Sequence, residues 1–389
     1  MSRFHSHIAS ATKIIQAYNS GKPLSMHIRS FLAADKKYGS KDRRGIASLC
    51  YYYFRTGKAF TKNTIEEKIL NSLFLCEQQP QPILELLQPE LNAKVALPID
   101  EKLTFTGASL HEIFPYESQL SDVIDQDLFS LSFLKQPDIF LRIRPGNKRT
   151  VVEKLEKASI KFELIGTGSV RLPNNVAVDK ILQLNKVAVV QDINSQKVLD
   201  YLDGSDLLSK SISIKAWDCC AASGGKSILL FDKLKGNVQV TVSDIRENIL
   251  LNLKTRLLQA HVPVADSFIA DLSKQISGRS EDKFSIIICD APCTGSGTWS
   301  RTPEQMYFFN HRTISEYAER QQKIVSNSVP LLENGGLYFY ITCSVFSKEN
   351  EDIVEYMQQQ LPVKLLKAAY LKGYEHAADT MFVAVFTSL

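Results

Sequence analysis

Two apolar runs in the second half of the chain, Phe284-Ser-Ile-Ile-Ile-Cys289 and Gly336-Leu-Tyr-Phe-Tyr-Ile341, each stop at a turn that carries a cysteine. The first opens into Asp290-Ala-Pro-Cys-Thr-Gly-Ser-Gly297 and presents Cys293; the second opens into Thr342-Cys-Ser344 and presents Cys343. Short apolar runs bounded by turn signals read as buried strands, and the strands of one parallel sheet end on the same side. Both thiols then reach one crevice at the carboxyl edge of such a sheet. Two thiols in one pocket point to covalent chemistry on an electrophilic ring. Either cysteine alone also reads as packing, but Pro-Cys-Thr-Gly and Thr-Cys-Ser are exposed turns rather than strand interiors.

A third segment supplies a ligand loop for the same edge. Ala216-Trp-Asp-Cys-Cys-Ala-Ala-Ser-Gly-Gly-Lys-Ser227 runs from a short strand through paired glycines into the helical stretch that starts at Ser227. Glycines at such a turn permit positive φ and a close approach of ligand to backbone. The strand Val238–Asp244 then ends in an acid where ribose hydroxyls are usually held, and a further strand, about Ala265 to Ala270, ends in Asp271, expected at an adenine edge. Asp244 and Asp271 also read as plain helix caps or loop acids. Neither GxGxxG nor GxxxxGK[ST] is present, so the expected ligand has ribose and base but no pyrophosphate, as S-adenosylmethionine does. The expected cofactor residues are Cys220, Ala221, Ala222, Ser223, Gly224, Gly225, Lys226, Asp244, Asp271 and Asp290.

Together, Asp218-Cys-Cys-Ala-Ala-Ser-Gly-Gly-Lys226, Asp290-Ala-Pro-Cys293-Thr-Gly and Thr342-Cys343-Ser with Glu349-Asn-Glu351 resemble the Sun/Fmu family of RNA (cytosine-5)-methyltransferases. The resemblance extends more loosely to Pro137–Pro145 and Gln191–Gln196. It implies an α/β fold: a Rossmann-like seven-stranded methyltransferase domain, preceded by an all-helical NusB-like domain and a small α/β subdomain. The expected boundaries are 1–125 for the helical RNA-binding domain, 126–185 for the small RNA-groove subdomain and 186–389 for the catalytic domain. Cys343 is assigned to attack and Cys293 to product release. Asp290 is expected to read the cytosine amino group or protonated N3, and Lys226 to bond the base carbonyl or cap the loop. Two departures stand out: Ser223 where the family usually has proline, and Ser300-Arg301 where two arginines are common.

The chemistry explains why two thiols are wanted. C5 of cytosine is a poor nucleophile until a thiolate adds at C6, and the C5 proton must leave before that bond can break. A free cysteine has a pKa of about 8.5, so the site must favour ionisation. A target base inside a helix must first be unstacked. The expected partner is RNA, small-subunit ribosomal RNA ahead of transfer RNA, with no DNA and no membrane, and the chain is expected to be a monomer. A non-catalytic RNA-binding or ribosome-assembly factor that keeps the fold is the competing reading, and both retained cysteines argue against it. DNA cytosine methyltransferases attack from a Pro-Cys motif and lack the Thr-Cys-Ser cysteine.

A chain of 389 residues allows two or three domains, and 23% charged with 44% hydrophobic residues is ordinary for a soluble protein. With no apolar run near 20 residues, no membrane-spanning helix is expected. Seven cysteines without a zinc-ligand spacing suit a reducing cytoplasm, with no metal. Cys50, Cys76, Cys219 and Cys289 read as core. At a net charge of only +4, contact with RNA must come from local clusters. Lys36–Arg44 reads as a basic link between two helices, the second being Ile46–Phe54. Arg142 and Arg144 are expected to face outward. Trp299, Arg301, Pro303, Tyr307 and Phe308 mix stacking surfaces with charge, as single-stranded RNA pockets do, although some of them must be packing residues.

Overall fold

A computed structural model describes residues 3–35, 37–205, 214–276, 278–279 and 281–389. They form two compact units. One comprises the chain to Leu120 with Asp125–Gln136 and Thr298–His311; the other comprises Ser121–Ile124, Pro137–Gly297 and Arg312–Leu389.

The first unit is helical. Helix Arg3–Gln16 buries Ile8, Ala11, Ile14 and Ile15, the one-sided spacing that turns a single face to a core. Helix Ser40–Arg55 begins earlier than its apolar residues suggest, because Asp42 accepts the Gly39 N–H at 3.2 Å and also bonds Arg3 and His7. Part of the expected basic link is therefore its first turn, while Lys36 lies outside the described residues. Further on, helices Pro82–Leu87 and Pro89–Ala93 each begin on a proline, which suits a first helical position.

Residues 298–311 belong to this unit, and part of the run is packing, while Phe308 stays 42% exposed. Trp299 is 1% exposed, and Tyr307 packs against Tyr53 and Phe54. Pro303 is buried, and Phe308 meets Tyr18 and Phe54. Arg55 fixes the run by donating to the carbonyls of Phe133 and Ser300 at 2.9 and 3.0 Å. Lys68 is 2% exposed; it donates to the Gly57 carbonyl at 2.7 Å and lies over the rings of Tyr53 and Tyr307.

The second unit holds two sheets. β1 (Ile139–Ile143), β2 (Glu163–Ile165), β3 (Ser169–Leu172) and β4 (Ala188–Val190) form an antiparallel sheet in the order β2-β3-β1-β4. Arg142 and Arg144 do not face outward. Two residues apart, they share a direction, and Asp232 of helix Gly225–Lys233 accepts from both, with the Arg144 contact at 2.6 Å. Burial of those guanidiniums follows from that shared acid.

The larger sheet contains β5 (Ile214–Asp218), β6 (Val238–Asp244), β7 (Val264–Ile269), β8 (Phe284–Asp290), β9 (Leu332–Thr342), β10 (Val363–Leu371) and β11 (Met381–Ser388). Its order is β10-β11-β9-β8-β5-β6-β7, with β5 to β9 parallel and β11 antiparallel between β9 and β10. Strand order reverses at β5: β6 and β7 add on one side, β8 and β9 on the other. A crevice opens at the carboxyl ends where neighbouring connections diverge in this way. Val240, Val242, Ile286, Ile288 and Phe339 pack one face of the sheet, and Trp217, Ile287, Tyr338 and Tyr340 the other. Among the described residues no helix is long and apolar enough to cross a membrane.

Burial, with Lys58 nearby, pushes the Lys68 ammonium down to about 7. The unfolded chain then binds the extra proton between about 7 and the ordinary lysine value, so stability rises with pH across that window. Urea titrations at pH 7 and pH 10 should register this rise in the wild type, at about 1.4 kcal/mol per unit of separation, and lose it in Lys68→Met.

Candidate active site

β8 and β9 are parallel neighbours with Asp290 paired to Ile341, so the turns after them emerge side by side. Cys293 and Cys343 accordingly bring their sulfurs to 3.5 Å. Three groups of bonds hold the turns in place. Ala291 N–H donates to the Ile341 carbonyl at 2.9 Å, and Gly297 N–H donates to the Cys343 carbonyl at 2.8 Å. Gly297 has to be glycine, because a Cβ there would lie 2.2 Å from the Thr380 carbonyl oxygen. Across both turns lies Glu349, fully buried, which accepts from Thr294 N–H at 2.8 Å, from the Thr294 and Ser344 hydroxyls, and from Gln321 at 3.1 Å. Burial raises its carboxyl despite those donors.

The hydrogen bond to Cys343, followed by burial, pushes the Cys293 thiol well above its ordinary value. Either sulfur can donate to the other. Beside them Lys226, in the first turn of helix Gly225–Lys233, donates to Asp290 at 2.6 Å. Burial alone would lower the Lys226 ammonium, but the Asp290 carboxylate outweighs it and the net shift is upward. Lys226 therefore serves first as the partner that fixes Asp290. Beneath the loop, Asp218 accepts from the Ser227 hydroxyl at 2.6 Å, and burial lifts it to about 7.

A cavity of about 400 Å³ opens at this edge, and its lining includes Cys220, Ala222, Asp244, Asp290 and Cys293. Ala222 N–H donates to Asp244 at 3.1 Å, and Arg246 bonds the same carboxylate at 3.0 and 3.1 Å. Burial alone would raise Asp244; the contacts from Arg246 and Ala222 outweigh it and hold the carboxyl below its usual range. Ala221 donates to the Ser243 carbonyl at 3.0 Å. Gly224 caps the helix that starts at Gly225, and Ser223 is bonded to Arg256 at 2.8 Å. Asp271 stands apart from this group: its carboxylate accepts from Ser273 N–H and hydroxyl at 3.1 and 2.6 Å, and the cavity is lined instead by its neighbours Ala270, Leu272 and Ser273.

Sequence reasoning missed Tyr317, Arg320 and Ile324, which line the cavity from helix Arg312–Ser328. Their helical spacing was the available signal. Of the expected core cysteines, Cys50, Cys219 and Cys289 are buried and Cys76 is only partly so. Cys219, Cys220 and Cys289 bring their sulfurs within 4.8 Å of one another. Cys219 and Cys289 belong to the apolar cluster around Trp217, the setting of small core fillers.

The family described as "16S rRNA methyltransferase RsmB/F" matches residues 208–384. This segment is similar to that family. A curated relative, "Ribosomal RNA small subunit methyltransferase B" of Yersinia pestis bv. Antiqua (strain Angola), is 30% identical over 260 residues. The alignment covers 64% of this chain and 56% of that protein, so the chain spans about half the length of the curated relatives it matches. Among solved structures, PH0851 superposes with a TM-score of 0.74 at 17% identity, covering 100% of this chain and 99% of the other. NSun6 from Pyrococcus horikoshii with SFG gives 0.58 at 13% identity, covering 72% and 96%. Both likenesses are of fold. The matched segment contains the Gly-Gly loop, both cysteine turns and Glu349.

Removing Glu349 would take away the buried acceptor that Thr294, Ser344 and Gln321 share. Glu349→Ala should cost about 1–3 kcal/mol in urea unfolding, and thiol titration should find Cys293 and Cys343 reacting independently rather than as a pair. Glu349→Gln should fall between the two.

Proposed function

We propose that this chain transfers a methyl group from S-adenosylmethionine to C5 of a cytosine in RNA through a covalent adduct with Cys343. The observation that carries the reading is the 3.5 Å approach of Cys293 to Cys343 beside the Lys226–Asp290 pair. The match to a methyltransferase family supports the methyl donor. Asp244 would hold the ribose hydroxyls, Ile245, Ala270 and Leu272 offer an apolar lining for the adenine, and the loop at Ala222 faces the same cavity. When bound, the cofactor supplies an electrophilic methyl group on a sulfonium.

The residues divide the remaining work. The Cys343 thiolate adds to C6, and the electron pair displaced from the ring double bond makes C5 nucleophilic. As the ring accepts the thiolate, the proton on Cys293 leaves toward N3, where Asp290 receives the base edge. That contact favours cytosine over uracil, whose edge offers an acceptor at O4. After methylation Cys293 takes the C5 proton, the C6–sulfur bond breaks, and the electron pair returns to Cys343 while N3 releases its proton. Cytosine and S-adenosylmethionine thus become 5-methylcytosine, S-adenosylhomocysteine and one proton. The relative's name favours small-subunit ribosomal RNA as the substrate.

Bisulfite mapping of cellular RNA with and without the protein should find one or a few cytosines that depend on it. Cys343→Ala should abolish methylation and leave cofactor binding nearly intact. Cys293→Ala should methylate its base and then fail to let go. A protein–RNA species that survives a denaturing gel should accumulate with Cys293→Ala and be missing in the Cys293/Cys343 double variant. Trapping by Cys343→Ala instead would exchange the two roles.

Calorimetry should also find that Asp244→Ala binds S-adenosylmethionine more weakly by about 1–3 kcal/mol, the scale of hydroxyls left without partners. Unchanged affinity would reduce Asp244 to an anchor for Ala222 and Arg246.

A further inference from the structure

Arg256, which the chemistry above does not use, holds the ligand loop from behind. It is half-buried on helix Glu247–Gln259. Its Nη1 donates to the carbonyl oxygen and to Oγ of Ser223, at 3.0 and 2.8 Å, and its Nε donates to Oδ1 of Asn185 at 2.8 Å. Leu253, one turn earlier, bears on the next residue of the loop: a Cβ on Gly224 would lie 2.2 Å from its Cδ1. One face of this helix therefore presses on Gly224 and grips Ser223.

The loop requires such support. Ala222 holds φ at 45° and Gly224 at 78°, and a left-handed backbone is unfavourable for alanine, which has a Cβ. Ala222 also donates its N–H to Asp244, so any relaxation of the loop moves a donor on the carboxylate assigned to ribose. The far end of the brace is firm. Asn185 has φ of 68°, its carbonyl accepts from Arg144 at 3.1 Å, and its side-chain amide donates to Gln259 at 2.9 Å.

We propose that Arg256 is a positioning residue for S-adenosylmethionine, holding residues 222–224 in their binding conformation through Ser223 and tying them to the Asn185 turn. The proposal rests on the function inferred above. Cys293, Cys343 and Asp290 lie outside this brace, so its loss affects cofactor affinity rather than the chemical steps.

Calorimetric titration with S-adenosylmethionine tests it, alongside circular dichroism and rates at saturating cofactor. Arg256→Ala should weaken binding by about 10-fold and Ser223→Ala by about 3-fold, because the latter keeps the carbonyl contact. The double variant should lose about 10-fold, no more than Arg256→Ala alone, since both changes remove one interaction. Arg256→Lys should recover part of the loss. The saturated rate should stay within about 2-fold of wild type if the brace acts only in binding. Unchanged affinity in Arg256→Ala, or losses that multiply in the double variant, would overturn the proposal and leave the cofactor assignment standing. A wild type that does not bind S-adenosylmethionine would overturn both. If Arg256→Ala does not fold, Ser223→Ala and Arg256→Lys decide, and unchanged affinity in both overturns the proposal.

Discussion

The catalytic edge depends on one buried carboxylate. Glu349 bridges the turn after β8 and the turn after β9, and it adds a side-chain anchor to the backbone bonds that join them. A buried acid is costly unless its oxygens are filled; here hydroxyl, amide and backbone donors all converge on it. Those donors come from three places in the chain, Thr294, Gln321 and Ser344, so the contact is also a check on correct assembly.

The charged pairs around the cavity have different functions. Lys226 and Asp290 face each other beside Cys293 and Cys343, and the ammonium fixes the direction of the Asp290 carboxylate. Arg142, Arg144 and Asp232 form a buried cluster in which one acid serves two guanidiniums. A buried pair of this kind is weak evidence for stability, but it fixes β1 against helix Gly225–Lys233, and the cofactor loop leads into that helix.

Much of the sheet was legible because its strands are short apolar runs that stop at recognisable turns. The ends of β5, β6, β8 and β9 could be placed from Asp218, Asp244, Asp290 and Thr342. What failed depended on partners distant in sequence. Alternation tells that Arg142 and Arg144 share a face, but not that Asp232 waits beyond it. Asp271 ends its segment as expected, yet Ser273, two residues on, satisfies its carboxylate locally. The aromatics from Trp299 to Phe308 follow Cys293 so closely that a role beside it looked natural, whereas Trp299 packs on Phe114, Tyr116 and Phe309, and Tyr307 and Phe308 pack on Tyr18, Tyr53 and Phe54. The importance of Glu349 was hidden for the same reason: its motif was visible, but its partners were not.

The membership of residues 298–311 in the helical unit also bears on how the chain is made. During synthesis the N-terminal residues emerge first, yet Trp299, Tyr307 and the Ser300 carbonyl that Arg55 grips have not been translated when the first 136 residues are complete. The helical unit must wait with an open aromatic seam, and Arg55 without its Ser300 acceptor, while β1 to β8 are made. It can close only once residues 298–311 have been made, and these precede β9 in the chain. The segment that closes the first unit thus interrupts the second between Cys293 and Cys343, and the Cys343 turn is added after the helical unit has all its parts.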